Sequence, residues 1–197
     1  MWSDLLRRNW GLLGFLLLLG WFWWINGIQP LTLLLGAAAV HEVGHLLALR
    51  LLGGTTAGFG FSAAGMVIRA RDLRLSYGQE LAAVLAGPVA NLAAGALCVL
   101  FDESDFAVAF AGAHWVLGVF NLLPAAPLDG WRALTLLLCW RIGPNVGERT
   151  ADAIGAVFAL TLTVAILFLM VASGGNLWLL PAAVIMAREG LRTVVER

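Results

Sequence analysis

Apolar runs of bilayer length recur along this chain, and they constrain its fold more than any other feature. Residues 9–26, 30–52, 79–101, 105–123, 151–172 and 176–190 each approach the roughly 20 residues that carry a helix across a hydrocarbon core. With 61% hydrophobic and 12% charged residues in 197, the chain is too apolar for a soluble domain of this size. The pattern predicts an all-α polytopic membrane protein with about six transmembrane helices. It is read as a single membrane-embedded domain over residues 1–197.

The first run follows Arg7 and Arg8 and reads GLLGFLLLLG, then WFWWINGIQP. No small-residue cleavage site follows, so a retained first span is expected rather than a signal peptide. All 12 basic residues are arginine. The connections near residues 27–29, 102–104 and 173–175 contain none of them. Arg7, Arg8, Arg50, Arg69, Arg71, Arg74, Arg132, Arg141, Arg149, Arg188, Arg192 and Arg197 all fall on the opposite side. Positive charge marks the cytoplasmic side, so both termini are expected in the cytoplasm of a cell-membrane protein. Most tryptophans fall near the ends of the runs, as an interfacial belt requires, and Trp115 does not.

Several function classes drop out. There is no basic stripe interleaved with aromatics and no Gly-rich phosphate loop, which argues against nucleic acid and nucleotides. Cys98 and Cys139 sit in separate apolar runs and read as small buried hydrophobes, with no disulfide framework or Cys-based zinc site. Residues 53–78 are too polar and Gly-rich to span. GFGF and MVIRARDL alternate around SAAG, which predicts a short β-hairpin on the cytoplasmic side.

Inside the second run lies HEVGH, residues 41 to 45. On a helix, positions four apart share a face. His41 and His45 can therefore reach one metal ion, with Glu42 beside them to act on water. Ionisable groups in hydrocarbon are expensive and mark function. A lone membrane histidine is often a packing or pore residue, but two of this chain's three histidines share this spacing around a glutamate.

A catalytic zinc usually takes a third protein ligand. His114 and Asp129 are the remaining candidates. Asp129 lies in FNLLPAAPLDGWR, residues 120 to 132, where Pro124 and Pro127 break the fourth span. Irregular backbone at membrane depth is tolerated where it is buried in protein or lines a wet cavity, a setting that suits a carboxylate ligand. Counted from the outer edge, His45 lies about 22 Å deep and Asn121 about 24 Å, with Asp129 just beyond, whereas His114 lies only about 14 Å deep. His114 is read as a cavity-facing polar residue or a hydrogen-bonded packing residue.

HEVGH (41–45), AGPVANL (86–92) and NLLPAAPLDG (121–130) together resemble the site-2 protease family of zinc intramembrane metalloproteases, in its compact six-span branch. The resemblance covers about residues 30–135, a catalytic core on the second to fourth spans. It implies His41, His45 and Asp129 as ligands of one zinc and Glu42 as general base and later proton donor. It also implies that the amides of Asn121 and Asn91 line the cleft and hold substrate backbone. Asn91 reads equally as part of a small-residue ridge, Gly87, Asn91 and Gly95, suited to close helix packing. Many relatives carry a second glycine after LDG where this chain has Trp131.

The implied function is hydrolysis of a peptide bond in or near a transmembrane segment of a membrane-protein substrate. Pairing of substrate with the 53–78 hairpin by strand addition is one expectation, and a hairpin that only seals the mouth is the other. No PDZ-like insert or CBS-like tail is legible, so either a partner membrane protein regulates the chain or it is a minimal member. The alternative is a non-proteolytic zinc-binding membrane protein or metal transporter. Transporters show repeated halves with matching broken helices, and here one half alone carries the site.

Overall fold

The computed structural model describes the backbone of residues 2–53, 55–62, 65–71, 75–102, 104–175 and 177–195. Side chains are described for residues 13–14, 16–53, 75–102, 104–175, 177 and 179–192. Helices α1 (Trp2–Asn26) and α2 (Ile28–Leu51) are separated by Gly27. Its φ of 85° is a conformation that only glycine adopts readily, so the chain turns there. Thr55–Ser62 (β1) and Gly65–Arg71 (β2) then run as antiparallel partners.

Helix α3 (Tyr77–Phe101) opens with a capping box. The Ser76 hydroxyl accepts from the Gln79 N–H, and the Gln79 side chain accepts from the Ser76 N–H. Helix α4 (Asp105–Asn121) opens with the Ser104 hydroxyl accepting from the Ala107 N–H. Helices α5 (Asp129–Ile142) and α6 (Pro144–Ala172) meet at Gly143, with Pro144 at the first position of α6, where its missing N–H costs nothing. A 3-10 turn at Leu177–Leu179 leads into α7 (Leu180–Val195).

Helices α2, α3 and α4 pack against one another, α5 sits on α3 and α6, and α7 lies along α6. The core is built of small residues. Ala37, Ala107, Ala111, Ala125, Ala151 and Ala159 are almost wholly buried. The large apolar side chains point out: Trp24 is 87% exposed, Phe101 86% and Val171 79%. A soluble protein reverses this. In lipid, outward Leu, Phe and Val cost nothing, and association comes from close approach of small residues.

The expected class is an all-α polytopic protein with about six transmembrane helices, a short cytoplasmic-side β-hairpin and a broken fourth span; the break after Asn121 is present, and the span count is corrected here. Among the described residues the chain forms seven α-helices, and only α2, α3 and α6 are long and apolar enough to cross a membrane. The broken fourth span is two elements: α4, with 17 residues, and α5, with 14. At 1.5 Å per residue, α4 covers about 25 Å. The fifth run begins earlier than expected, because the polar turn after Pro144 is already helical and α6 reaches 29 residues. The sixth run is interrupted by the 3-10 turn, and α7 is a 16-residue helix carrying Arg188, Glu189 and Arg192. The corrected class is a bundle of seven α-helices, of which α2, α3 and α6 are long and apolar enough to cross a membrane among the described residues. The side chains of residues 54–74 lie outside the described residues.

Candidate metal centre

Helix α2 carries His41 and His45 one turn apart, on the face turned toward α3 and α4. Their rings meet edge to face, centroids 4.7 Å apart at 84°. Asp129 arrives from another element, at the first position of α5. Ala125 lies fully buried between Pro124 and Pro127 in the preceding turn. That turn closes through Ala125 N–H to the Leu123 carbonyl, 2.8 Å, and Leu128 N–H to the Ala125 carbonyl, 2.9 Å. The Ala126–Pro127 bond is cis. A carboxylate at a helix N-terminus is also favoured by the helix dipole. An ion pair of 2.7 Å between Arg132 Nη2 and Glu80 Oε1 ties the first turn of α5 to α3. It is solvent-exposed, so it orients more than it stabilises, at about 0–1 kcal/mol.

Three potential ligand atoms converge. Asp129 Oδ2 lies 2.9 Å from His41 Nε2 and 3.2 Å from His45 Nε2, and the two imidazole nitrogens are 3.1 Å apart. Ligand atoms held at about 2.0–2.1 Å around a tetrahedral metal lie about 3.3 Å from one another. The triangle therefore has the donor spacing such a site needs. Two imidazoles and one carboxylate suit zinc among the first-row divalent ions. These three residues form the cluster that can hold a metal ion among the described residues.

His45 is set for this by its outer nitrogen. Its Nδ1 lies 2.8 Å from the Ala83 carbonyl of α3. A carbonyl only accepts, so Nδ1 carries the proton and the Nε2 lone pair faces the triangle. Two glycines let α3 approach this closely. A Cβ on Gly44 would lie 2.6 Å from the Ala86 carbonyl oxygen, and one on Gly87 would run into the His45 ring. The glycine inside HEVGH is thus a packing requirement of the α2–α3 contact.

The other expected residues fall as follows. Glu42 is half-buried on the same turn as His41. Asn91 is fully buried and presents one end of its carboxamide to His41 Nδ1 at 3.3 Å and the other to His114 Nδ1 at 3.2 Å. Its surface does not face an open cleft. Asn121 ends α4 and donates to the Leu117 carbonyl of its own helix at 3.0 Å. His114 is fully buried and is no member of the triangle. Trp131 packs its indole against Gly155 of α6, so the residue that replaces a glycine after LDG fills the α5–α6 contact. Two contributors escaped the sequence: the Ala83 carbonyl and the bare surface of Gly87. The only sequence signal for the second was its place in the small-residue ridge with Asn91.

No family model matches the chain. Over 172 aligned residues it is 32% identical to Rip3 of Mycobacterium tuberculosis, from two strains, a protein provisionally named a zinc metalloprotease. That alignment takes in 80% of this chain and 44% of the relative, so the chain spans less than half of the relative's length. The fold is similar to that of a Site-2 Protease from Methanocaldococcus jannaschii, with a TM-score of 0.66 and 21% identity. The match covers 92% of this chain and 88% of that one. At that identity the likeness is one of fold.

Proposed function

We propose that this chain is a member of the site-2 protease family and a zinc-dependent endopeptidase cutting a membrane-protein substrate in or near a transmembrane segment, a reading supported by its likeness to Rip3 and by its fold. The observation that carries this reading is the convergence of His41 Nε2, His45 Nε2 and Asp129 Oδ2 within 3.2 Å of one another. These three residues would hold the metal. Zinc bound there supplies Lewis acidity that polarises the scissile carbonyl and acidifies water.

The remaining steps belong to the chain. The Ala83 carbonyl holds the His45 ring in the ligating tautomer. Glu42 takes the proton of the attacking water and delivers it to the leaving amine. A helical substrate hides its peptide bonds in its own hydrogen bonds, so it unwinds before cleavage, and its freed backbone groups need partners. Asn121, at the last position of α4 before the Asp129 loop, is assigned as one such partner. Asn91 is not, since both ends of its amide are engaged on histidines.

The first test is metal analysis. The purified protein is expected to retain a single zinc per chain and to lose both metal and cleavage to a strong chelator. Asp129→Ala is expected to weaken zinc retention at least tenfold, the scale of losing one ligand or its orientation. Undiminished zinc in that variant would sink the ligand assignment.

The arginine map supports a multi-pass protein of the cell membrane with both termini in the cytoplasm. The second test uses accessible thiols in a Cys98→Ala, Cys139→Ala background. In intact cells an impermeant thiol reagent is expected to label Ser104→Cys and spare Thr55→Cys. The reverse pattern would invert the topology.

A further inference from the structure

His114 takes no part in the chemistry above, yet it is fully buried and one residue removed from the metal centre. A Phe110 ring 4.2 Å away, centroid to centroid, fixes its plane. Its Nδ1 faces Asn91, and its Nε2 is a buried polar atom with no hydrogen-bond partner among the described residues. A histidine kept for bulk alone is poorly suited to such a place, because an apolar ring fills it without an orphaned nitrogen.

The link to His41 is one carboxamide. A primary amide has one accepting end and one donating end. Asn91 sets one end on His41 Nδ1 and the other on His114 Nδ1, at 3.3 and 3.2 Å. Two neutral imidazoles facing the same amide must therefore be complementary: one Nδ1 donates and the other accepts. The tautomers of the two histidines are coupled although their rings are joined only through Asn91.

A metal on His41 Nε2 selects one of the two arrangements. Its proton then sits on Nδ1 and needs an acceptor. The Asn91 Oδ1 must face His41, its Nδ2 must face His114, and His114 must accept through Nδ1 and carry its own proton on Nε2. As placed, the carboxamide points Nδ2 at His41. A half turn about its Cβ–Cγ bond exchanges the two ends and keeps both contacts. Each imidazole exchanges one ring proton for another in that change, and no net charge is gained or lost.

We infer that His114 is a positioning residue of the metal centre: as the Nε2–H tautomer it holds Asn91 so that Oδ1 accepts from His41 Nδ1–H, leaving His41 Nε2 to ligate. This rests on the zinc reading above and adds a role for the third histidine.

The test is direct because the chain has 3 histidines. The full chain, labelled with ¹⁵N-histidine in lipid nanodiscs and loaded with zinc, is read by imidazole ¹⁵N shifts. The expected result is Nδ1–H with coordinated Nε2 at His41 and His45, and Nε2–H at His114. A zinc-loaded protein whose His114 carries its proton on Nδ1 overturns the inference alone. No zinc-dependent shift at His41 or His45 overturns the metal reading and the inference with it. Chelator competition gives the second measurement. His114→Ala is expected to lower zinc affinity by roughly 10–100-fold. His114→Gln, whose Oε1 can accept from Asn91, should restore most of it. Wild-type affinity in His114→Ala, or no recovery in His114→Gln, overturns the positioning role.

Discussion

The Glu42→Gln protein is expected to keep its zinc and to cleave at least about 10²–10⁴-fold more slowly than the parent, the usual range for loss of a general base. The substitution is nearly isosteric, so packing on α2 is undisturbed. Glu42 is not a member of the converging triangle, so metal retention has no reason to fall. What disappears is the proposed base, the one carboxylate on α2. The result separates reaction classes as well as residues. A metal transporter has no use for a proton shuttle in peptide hydrolysis and would keep its flux. Cleavage by Glu42→Gln at the parent rate would show that Glu42 is not the base, and a parent protein that binds zinc without cleaving would remove the protease reading. Cleavage is measured on a transmembrane substrate co-reconstituted in vesicles, with bound zinc measured on the same preparation.

The parts of this site legible in the sequence are those whose geometry is local. His41 and His45 share a face because the helix repeat puts them there, whatever surrounds α2. Asp129 was legible for a related reason. Pro124 and Pro127 end one helix, and the next begins at the aspartate, so the carboxylate is placed by backbone rules. The approach of Asp129 to the histidines still needed the fold, since the depth count gave a level and no rotation.

What stayed hidden depends on how helices are rotated against one another. In a soluble helix the polar face reports that rotation. Here the outward faces are as apolar as the inward ones, as the exposed Trp24, Phe101 and Val171 show. Hydropathy therefore could not tell that Asn91 faces His41 and His114 rather than an open cleft. The span count failed for a different reason. A run of apolar residues says nothing about a break in helix geometry within it, such as the 3-10 turn before α7, or about a helix that continues through polar residues, as α6 does from Pro144.

Gly87→Ala is expected to lower zinc affinity at least about tenfold and cleavage about 100-fold while leaving the helical bundle folded. An added Cβ would run into the His45 ring. Two relaxations are open, and both cost the site. If the ring swings away, Nε2 leaves the triangle and Nδ1 leaves the Ala83 carbonyl, now 2.8 Å away. If α3 backs off instead, Ala83 moves with it, because it lies on the same helix one turn before Gly87, and the bond that fixes the His45 tautomer is lost again. Contacts elsewhere on the α2–α3 seam, such as Gly44 against Ala86, resist a rigid retreat, so the ring takes most of the displacement. A misplacement of about 1 Å is enough for a loss of this size. Gly36→Ala is the control: it lies on the same helix as the histidines, and its added Cβ meets nothing within 4 Å. Helix propensity alone should make that change neutral or stabilising by up to about 1 kcal/mol. Circular dichroism checks the fold of both variants, and chelator competition checks the metal. Full zinc affinity and full activity in Gly87→Ala would mean that the His45 ring has room to spare, and that α3 does not set its position.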